Sequence, residues 1–255
     1  MTDDGPRDRV FLVTGSGHGL GAALAEGAAR AGAKVALNCR SNVKGAMTLA
    51  GELKKSGADV RAFRADVTEV GQVKGLVEDV QRAFGRIDVL VNTVGVFEWK
   101  PVGEMAPAEW REVMASNLDS VFLMCRQVLP IMREQHWGRI VNFGAVGAER
   151  TLAHPRVAAY CGAKSAVVAF SKGLALEEAR CGITVNVVCP GVLEYDGAAP
   201  ERAAALASNG RLGDRVPVGR GARPEDVIRA VLFFASPAAD FVTGQVLAVS
   251  GGAQI

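Results

Sequence analysis

Seven short apolar runs, most of them separated by stretches of helical length, set the narrowest limit on how this chain of 255 residues folds. The runs are Arg9–Thr14, Lys34–Cys39, Val60–Arg64, Ile87–Asn92, Arg139–Phe143, Thr184–Cys189 and Val246–Val249, and glycine, proline or a polar turn closes most of them. Runs that are apolar throughout, rather than at every second residue, read as strands covered on both faces, the condition of a parallel sheet. Between them lie an Ala-rich helix reaching about Ala31, a stripe of Val70, Val73, Val77, Val80 and Phe84 at helical spacing, a helix across Asn117 to Met132, one from Tyr160 to about Arg180, and one opened by Pro224-Glu225-Asp226. A strand that crosses through a helix to a parallel neighbour does so right-handedly, and repetition of that unit covers both faces of one sheet. The expectation is an α/β chain with a Rossmann-type doubly wound parallel sheet of about seven strands, forming a single domain over residues 1–255.

Bulk properties remove several functions. Hydrophobic residues make up 49% of the chain and the formal net charge is +2, which suits a packed globule and gives nucleic acid or an anionic membrane no electrostatic handle. The first eight residues are polar, without the apolar core of a signal peptide, and no run approaches the roughly 18 apolar residues of a membrane helix. A soluble, cytoplasmic protein is expected. Its five cysteines contain no Cys-x-x-Cys pair and its three histidines lie far apart, so reduced thiols and no metal site are expected.

The turn after the first run, Thr14-Gly15-Ser16-Gly17-His18-Gly19-Leu20-Gly21, joins a strand to a helix start. Backbone N–H groups and the positive helix end converge at such a junction, and glycines let a pyrophosphate approach the main chain. A glycine cluster alone could be a mobile loop; the flanking strand and helix favour nucleotide binding. After the second run an NAD site would carry an acid for the ribose hydroxyl. None is present, and Arg40 with Ser41 and Asn42 offers charge-assisted bonds to a 2′-phosphate instead, the alternative being a solvated turn arginine. In parallel sheets ligands bind beyond the carboxyl ends of the strands, so the turn after Thr14, Asp66, Asn92 to Gly95, Gly144 to Gly147 and Pro190 to Leu193 should line one crevice.

Tyr160 and Lys164 stand one helical turn apart on one face. A phenol ordinarily titrates near pH ~10, and a neighbouring ammonium favours its anion, so the pair can exchange a proton near neutrality. The alternative is a helix tyrosine with a solvated lysine beside it.

Together these residues resemble the short-chain dehydrogenase/reductase family, and within it the 3-oxoacyl-[acyl-carrier-protein] reductases, from Arg9 to Gly252. The family's glycine motif matches Thr14, Gly15, Gly19 and Gly21, its adenine-contacting Asp resembles Asp66, and its Asn-Asn-Ala-Gly segment appears altered as Asn92-Thr93-Val94-Gly95. Its catalytic Asn resembles Asn117, its Tyr-x-x-x-Lys is Tyr160 and Lys164, and its nicotinamide loop is Pro190-Gly191. The resemblance implies NADPH as cofactor, held by Gly15 to Leu20, Arg40, Ser41, Asn42, Asp66, Val67, Asn92, Val94, Gly95, Tyr160, Lys164, Pro190, Gly191 and Leu193. It implies Tyr160 as proton donor to a carbonyl of a 3-oxoacyl or ketone-like substrate, Lys164 on the nicotinamide ribose, and Asn117 anchoring a water relay. A homotetramer or homodimer is also implied.

Two positions depart from the pattern. Ala145 stands where the family has a catalytic Ser, in a loop to Tyr160 about two residues longer than usual, and Tyr195 replaces the Thr of the nicotinamide loop. Losing one donor to a developing oxyanion typically costs about 10²–10³-fold. Thr151, His154 or Tyr195 could supply another donor, a C=N or activated C=C substrate could dispense with it, or catalysis could be weakened in favour of nucleotide binding. Phe97 and Trp99 are placed toward the substrate pocket, with Arg202, Arg211 and Arg215 in the segment expected to cover it.

Overall fold

A computed structural model describes residues 5–151, 154–193 and 216–253. The strands are β1 (Val10–Val13), β2 (Lys34–Cys39), β3 (Val60–Arg64), β4 (Val89–Asn92), β5 (Gly138–Phe143), β6 (Ile183–Pro190) and β7 (Val246–Val249). They form one parallel seven-stranded sheet in the order β3-β2-β1-β4-β5-β6-β7. The helices are α1 (Gly19–Arg30), α2 (Val43–Lys55), α3 (Val70–Phe84), α4 (Pro107–Met114), α5 (Ser120–Gln135), α6 (Ala158–Glu178) and α7 (Pro224–Ala235).

Both faces are covered, as the uniformly apolar runs require. Leu12, Leu90 and Ile140 point into one core with Val77 of α3, Met124 of α5 and Val167 of α6. Phe11, Val89 and Val141, one register position away, point into the other with Leu24 of α1, Leu53 of α2 and Val231 of α7. The chain leaves β1 toward β2 and β3 and returns to β4 on β1's other side, so the order reverses between β1 and β4. A crevice opens at the carboxyl ends of those strands.

Three differences from the sequence reading have physical causes. Ile87 and Asp88 precede β4, because the buried Asp88 carboxylate is spent on Val10 N (2.8 Å) and on the guanidinium groups of Arg9 and Arg86. The stretch after Asn42 is helical: the Asn42 Oδ1 accepts from Gly45 N at 3.1 Å and caps α2. The helix expected to start at Asn117 starts instead at Pro107, and Ala115–Asp119 is a π-helical segment joining α4 to α5. Residues 194–215, with Tyr195, Arg202, Arg211 and Arg215, lie outside the described residues. Among the described residues no helix is long and apolar enough to cross a membrane.

Candidate active site

α6 presents Tyr160 and Lys164 on one face at the carboxyl end of the sheet. Lys164 is 5% exposed, and its Nζ donates to Phe143 O at 2.9 Å and lies 5.7 Å from the Tyr160 ring centroid. Among the described residues no carboxylate pairs with it, and burial pushes its pKa down from 10.5 to about 8, with Cys189 opposing. The ammonium therefore sits at a cost. Below about pH 8 folded and unfolded chains both carry the proton and the full penalty applies; between pH 8 and 10.5 the unfolded chain holds a proton the folded chain has released, and stability rises with pH. Lys164→Met is accordingly expected to stabilise the ligand-free protein by about 2–3 kcal/mol at pH 7. Urea midpoints should show the gain shrinking as the pH approaches 10; equal midpoints at pH 7 would overturn this account of the ammonium.

Asn117 is fully buried in the π-helical segment, a wider turn that rotates its amide inward. Its Nδ2 donates to Val96 O (2.8 Å) and Val113 O (3.0 Å), while Oδ1 has no hydrogen-bond partner among the described residues. A Cβ on Gly95 would lie 2.3 Å from that oxygen and 3.5 Å from Lys164 Nζ, which places Gly95, Asn117 and Lys164 around one point and makes the bare glycine necessary. A buried orphan acceptor beside an ammonium suits a bridging water.

The turn after β1 is built for a phosphate. Gly15 and Gly19 have φ of +65° and +58°, and a Cβ on Gly21 would lie 2.6 Å from Gly15 O and 2.7 Å from Thr93 Oγ1. α1 begins without a side-chain cap and without an acid in its first turn, so its N–H groups and positive end stay available to an anion. These features fit a dinucleotide, with the pyrophosphate against Gly15 to Leu20.

Not every residue expected in the crevice offers its side chain to it. The Ser16 hydroxyl donates inward to Val13 O (2.9 Å), Val67 is buried in the core under α3, α5 and α6, and Leu20 packs on the core of the opposite face. Asn42 Nδ2 donates to Gly17 O at 2.7 Å, so its amide, spent also on the α2 cap, braces the glycine turn. Asn92 points off the sheet into the layer of α5 and α6, where its Nδ2 donates to Asn142 Oδ1 (2.9 Å) and Asn142 Nδ2 to Ser171 Oγ (2.9 Å). Backbone atoms alone remain as the contribution of Ser16, Val67 and Asn92. His18, Arg40 and Ser41 are exposed beside the glycine turn.

Asp66 Oδ1 accepts from Thr68 N (3.0 Å) and Thr68 Oγ1 (2.7 Å), and Oδ2 lies 3.4 Å from Arg40 Nη1. Burial raises its pKa, but the Thr68 bonds and Arg40 outweigh that and leave it lowered. Arg64 Nε donates to Arg40 O at 3.3 Å, a second guanidinium that sequence spacing did not reveal; its signal is the register of β3, which sets Arg64 opposite Cys39 at the end of β2. Thr93, expected only as part of the segment Asn92 to Gly95, has a bracing role: its N–H donates to Thr14 Oγ1 (3.1 Å) and its hydroxyl to Thr14 O, tying the ends of β1 and β4 together under the glycine turn.

Across the crevice, Ala145 lies two residues beyond β5, and Ala148 N donates to Ala145 O (2.9 Å) to close the turn. Thr151 and His154 are exposed on the outer part of this loop, and the Thr151 hydroxyl donates to Arg150 O at 2.7 Å. Pro190 and Gly191 are fixed against the sheet edge, with Gly191 N on Val249 O at 3.0 Å, and Leu193 bridges to Ala222. Among the described residues no cluster of His, Cys, Asp or Glu could hold a metal ion.

A family model described as enoyl-(acyl carrier protein) reductase matches residues 15–254. The 2-(S)-hydroxypropyl-CoM dehydrogenase 3 of Xanthobacter autotrophicus is 36% identical, with 96% of each chain covered. The 3-oxoacyl-[acyl-carrier-protein] reductase FabG of Escherichia coli is 35% identical at the same coverage. A gluconate 5-dehydrogenase from Burkholderia cenocepacia, solved with NADP and tartrate, superposes with a TM-score of 0.89 at 36% identity, covering 99% of this chain and 98% of that one.

Proposed function

The chain belongs to the short-chain dehydrogenase/reductase family, and from that premise we propose that it is an NADPH-dependent oxidoreductase that reduces the carbonyl of a 3-oxoacyl or ketone-like substrate. The observation that carries this is the buried Lys164 ammonium, held by Phe143 O beside the Tyr160 ring with the unpartnered Asn117 Oδ1 near it. NADPH, when bound, supplies the hydride. The Tyr160 phenol gives its proton to the substrate oxygen, and the nearby ammonium stabilises the phenolate left behind. Asn117 Oδ1 is the acceptor that can hold a water beside Lys164 Nζ and so return the proton from solvent. Purified protein should oxidise NADPH in the presence of a 3-oxoacyl thioester or an activated ketone; no turnover with any ketone, enone or imine would overturn the proposal.

NADP use is supported by the Burkholderia relative solved with that cofactor and by the guanidinium groups of Arg40 and Arg64 at the ends of β2 and β3. Arg40→Ala removes a charge-assisted contact and leaves the Asp66 carboxylate, 3.4 Å from Arg40 Nη1, facing the phosphate without compensation. NADPH affinity should fall roughly 10–100-fold and NADH affinity about twofold or less. Equal loss for both, measured by cofactor titration, would refute the assignment.

Ala145 favours a second reading, reduction of a C=N or activated C=C bond, or nucleotide binding with weak catalysis. A homotetramer or homodimer is supported by large apolar side chains left in water: Phe122 on α5 with Phe170 of α6 edge-on to it, and Phe241, wholly exposed beyond α7. A cytoplasmic site of action accords with the composition.

A further inference from the structure

The loop after β4 carries two aromatic side chains that the proton-transfer assignment leaves unused. Phe97 meets Tyr160 edge-on, with ring centroids 4.9 Å apart and planes at 71°. Trp99 lies 6.1 Å beyond Phe97 at a shallower 31°. The three rings make a row that begins at the reactive phenol and ends at an indole 42% exposed.

This row is held in place from both ends. Val96 N donates to Ser116 Oγ at 3.2 Å and Val96 O accepts from Asn117 Nδ2 at 2.8 Å, tying the start of the loop to the catalytic asparagine itself. At the other end Lys100 N donates to Arg156 O at 2.6 Å, and Lys100 Nζ grips both oxygens of Glu109 at 2.7 and 2.8 Å. The indole is thus kept in water by a braced loop, an arrangement that rewards a ligand able to cover it. An alkyl chain lying there gains only the buried area, whereas a flat ring system adds edge-on or offset-stacked contacts with two preset aromatic faces.

Resting on the reductase reading above, we propose that Phe97 and Trp99 determine specificity and select a bicyclic ketone that carries a fused aromatic ring, the aromatic ring along the row and the carbonyl at Tyr160. With NADPH bound, a dihydronicotinamide C–H bond would break as its hydride went to the carbonyl carbon, the C=O π pair would move to oxygen, and that oxygen would take the Tyr160 proton, leaving a phenolate beside Lys164; the products would be the alcohol and oxidised NADP.

The test uses 2-tetralone and 2-octanone as substrates and calorimetric binding of 2-naphthol, which is not reduced, on wild type, Trp99→Ala, Trp99→Phe and Phe97→Leu. Wild type should prefer 2-tetralone over 2-octanone by about tenfold in kcat/KM. Trp99→Ala should lose roughly tenfold on 2-tetralone and in 2-naphthol affinity, with less than about threefold change on 2-octanone, and Trp99→Phe should recover most of the loss. Phe97→Leu should behave as Trp99→Ala does. Parallel losses on both ketones, or 2-naphthol binding indifferent to Trp99, would overturn the proposal. Trp99-dependent 2-naphthol binding without reduction of any ketone would instead sink the reductase reading and leave the aromatic row standing.

Discussion

Exchanging Tyr160 for Phe is expected to lower kcat for carbonyl reduction by at least about three orders of magnitude, while NADPH binding changes by about twofold or less. The substitution is narrow. It retains the ring that packs edge-on against Phe97 and lies 5.7 Å from Lys164 Nζ, and it removes only the phenolic O–H. A positioned general acid is worth about 10²–10⁴-fold, and among the described residues none but Lys164 is placed beside the Tyr160 ring as a second acid. Lys164, with a pKa near 8, is an ammonium at pH 7, but its Nζ is buried and committed to Phe143 O, so it stabilises the phenolate without replacing the phenol as proton donor. Single-turnover kinetics alongside a cofactor titration separate the two effects. Full activity in the variant would end the proton-donor assignment; loss of NADPH binding in step with activity would mean that the phenol's role is to hold the cofactor.

How much of this site could be read in the sequence depended on whether the signal was local. Strand runs such as Arg9–Thr14 and Lys34–Cys39 contain the observed β1 and β2 because burial of a central strand writes itself as a nearly unbroken apolar run. The glycine turn and the Tyr160–Lys164 pair were legible for the same reason, since a strand-to-helix turn and one helical turn are short-range geometries. What failed depended on direction or on distant neighbours. Asn92 was expected to face the cofactor, yet strand alternation and the register Asn92↔Asn142 turn its amide toward α5 and α6. Asn42 looked like a phosphate ligand, but its amide is spent on the α2 cap and on Gly17 O. Asn117 was read at a helix start because no periodicity reveals a π-helical segment, and only the fold shows that its free oxygen lies beside Lys164. Arg64 and the Phe97–Tyr160 contact join residues far apart in sequence and carry no local pattern at all.

Ala145→Ser is the opposite experiment, and it is expected to raise the rate of carbonyl reduction by roughly 10–100-fold, somewhat below what removing an evolved oxyanion donor costs. The backbone is already arranged for it. Gly144 N donates to Val188 O at 3.0 Å and Ala148 N to Ala145 O at 2.9 Å, so the half-buried position two residues past β5 is fixed without help from its side chain. Among the described candidates for a substitute donor, Thr151 directs its hydroxyl to Arg150 O, so the added serine would have little competition from it. The rate should be measured with 2-tetralone and with a 3-oxoacyl thioester, because the two respond differently to what is missing. A gain on both substrates means a ketone site short of one donor, and the wild-type chain then depends on a substrate held well enough by Phe97 and Trp99 to react with Tyr160 alone. A rate unchanged or lower on both would show that the oxyanion is already served or never forms, and the C=N and C=C reductions would become the better account of why an alanine stands across the crevice from Tyr160, Lys164 and Asn117.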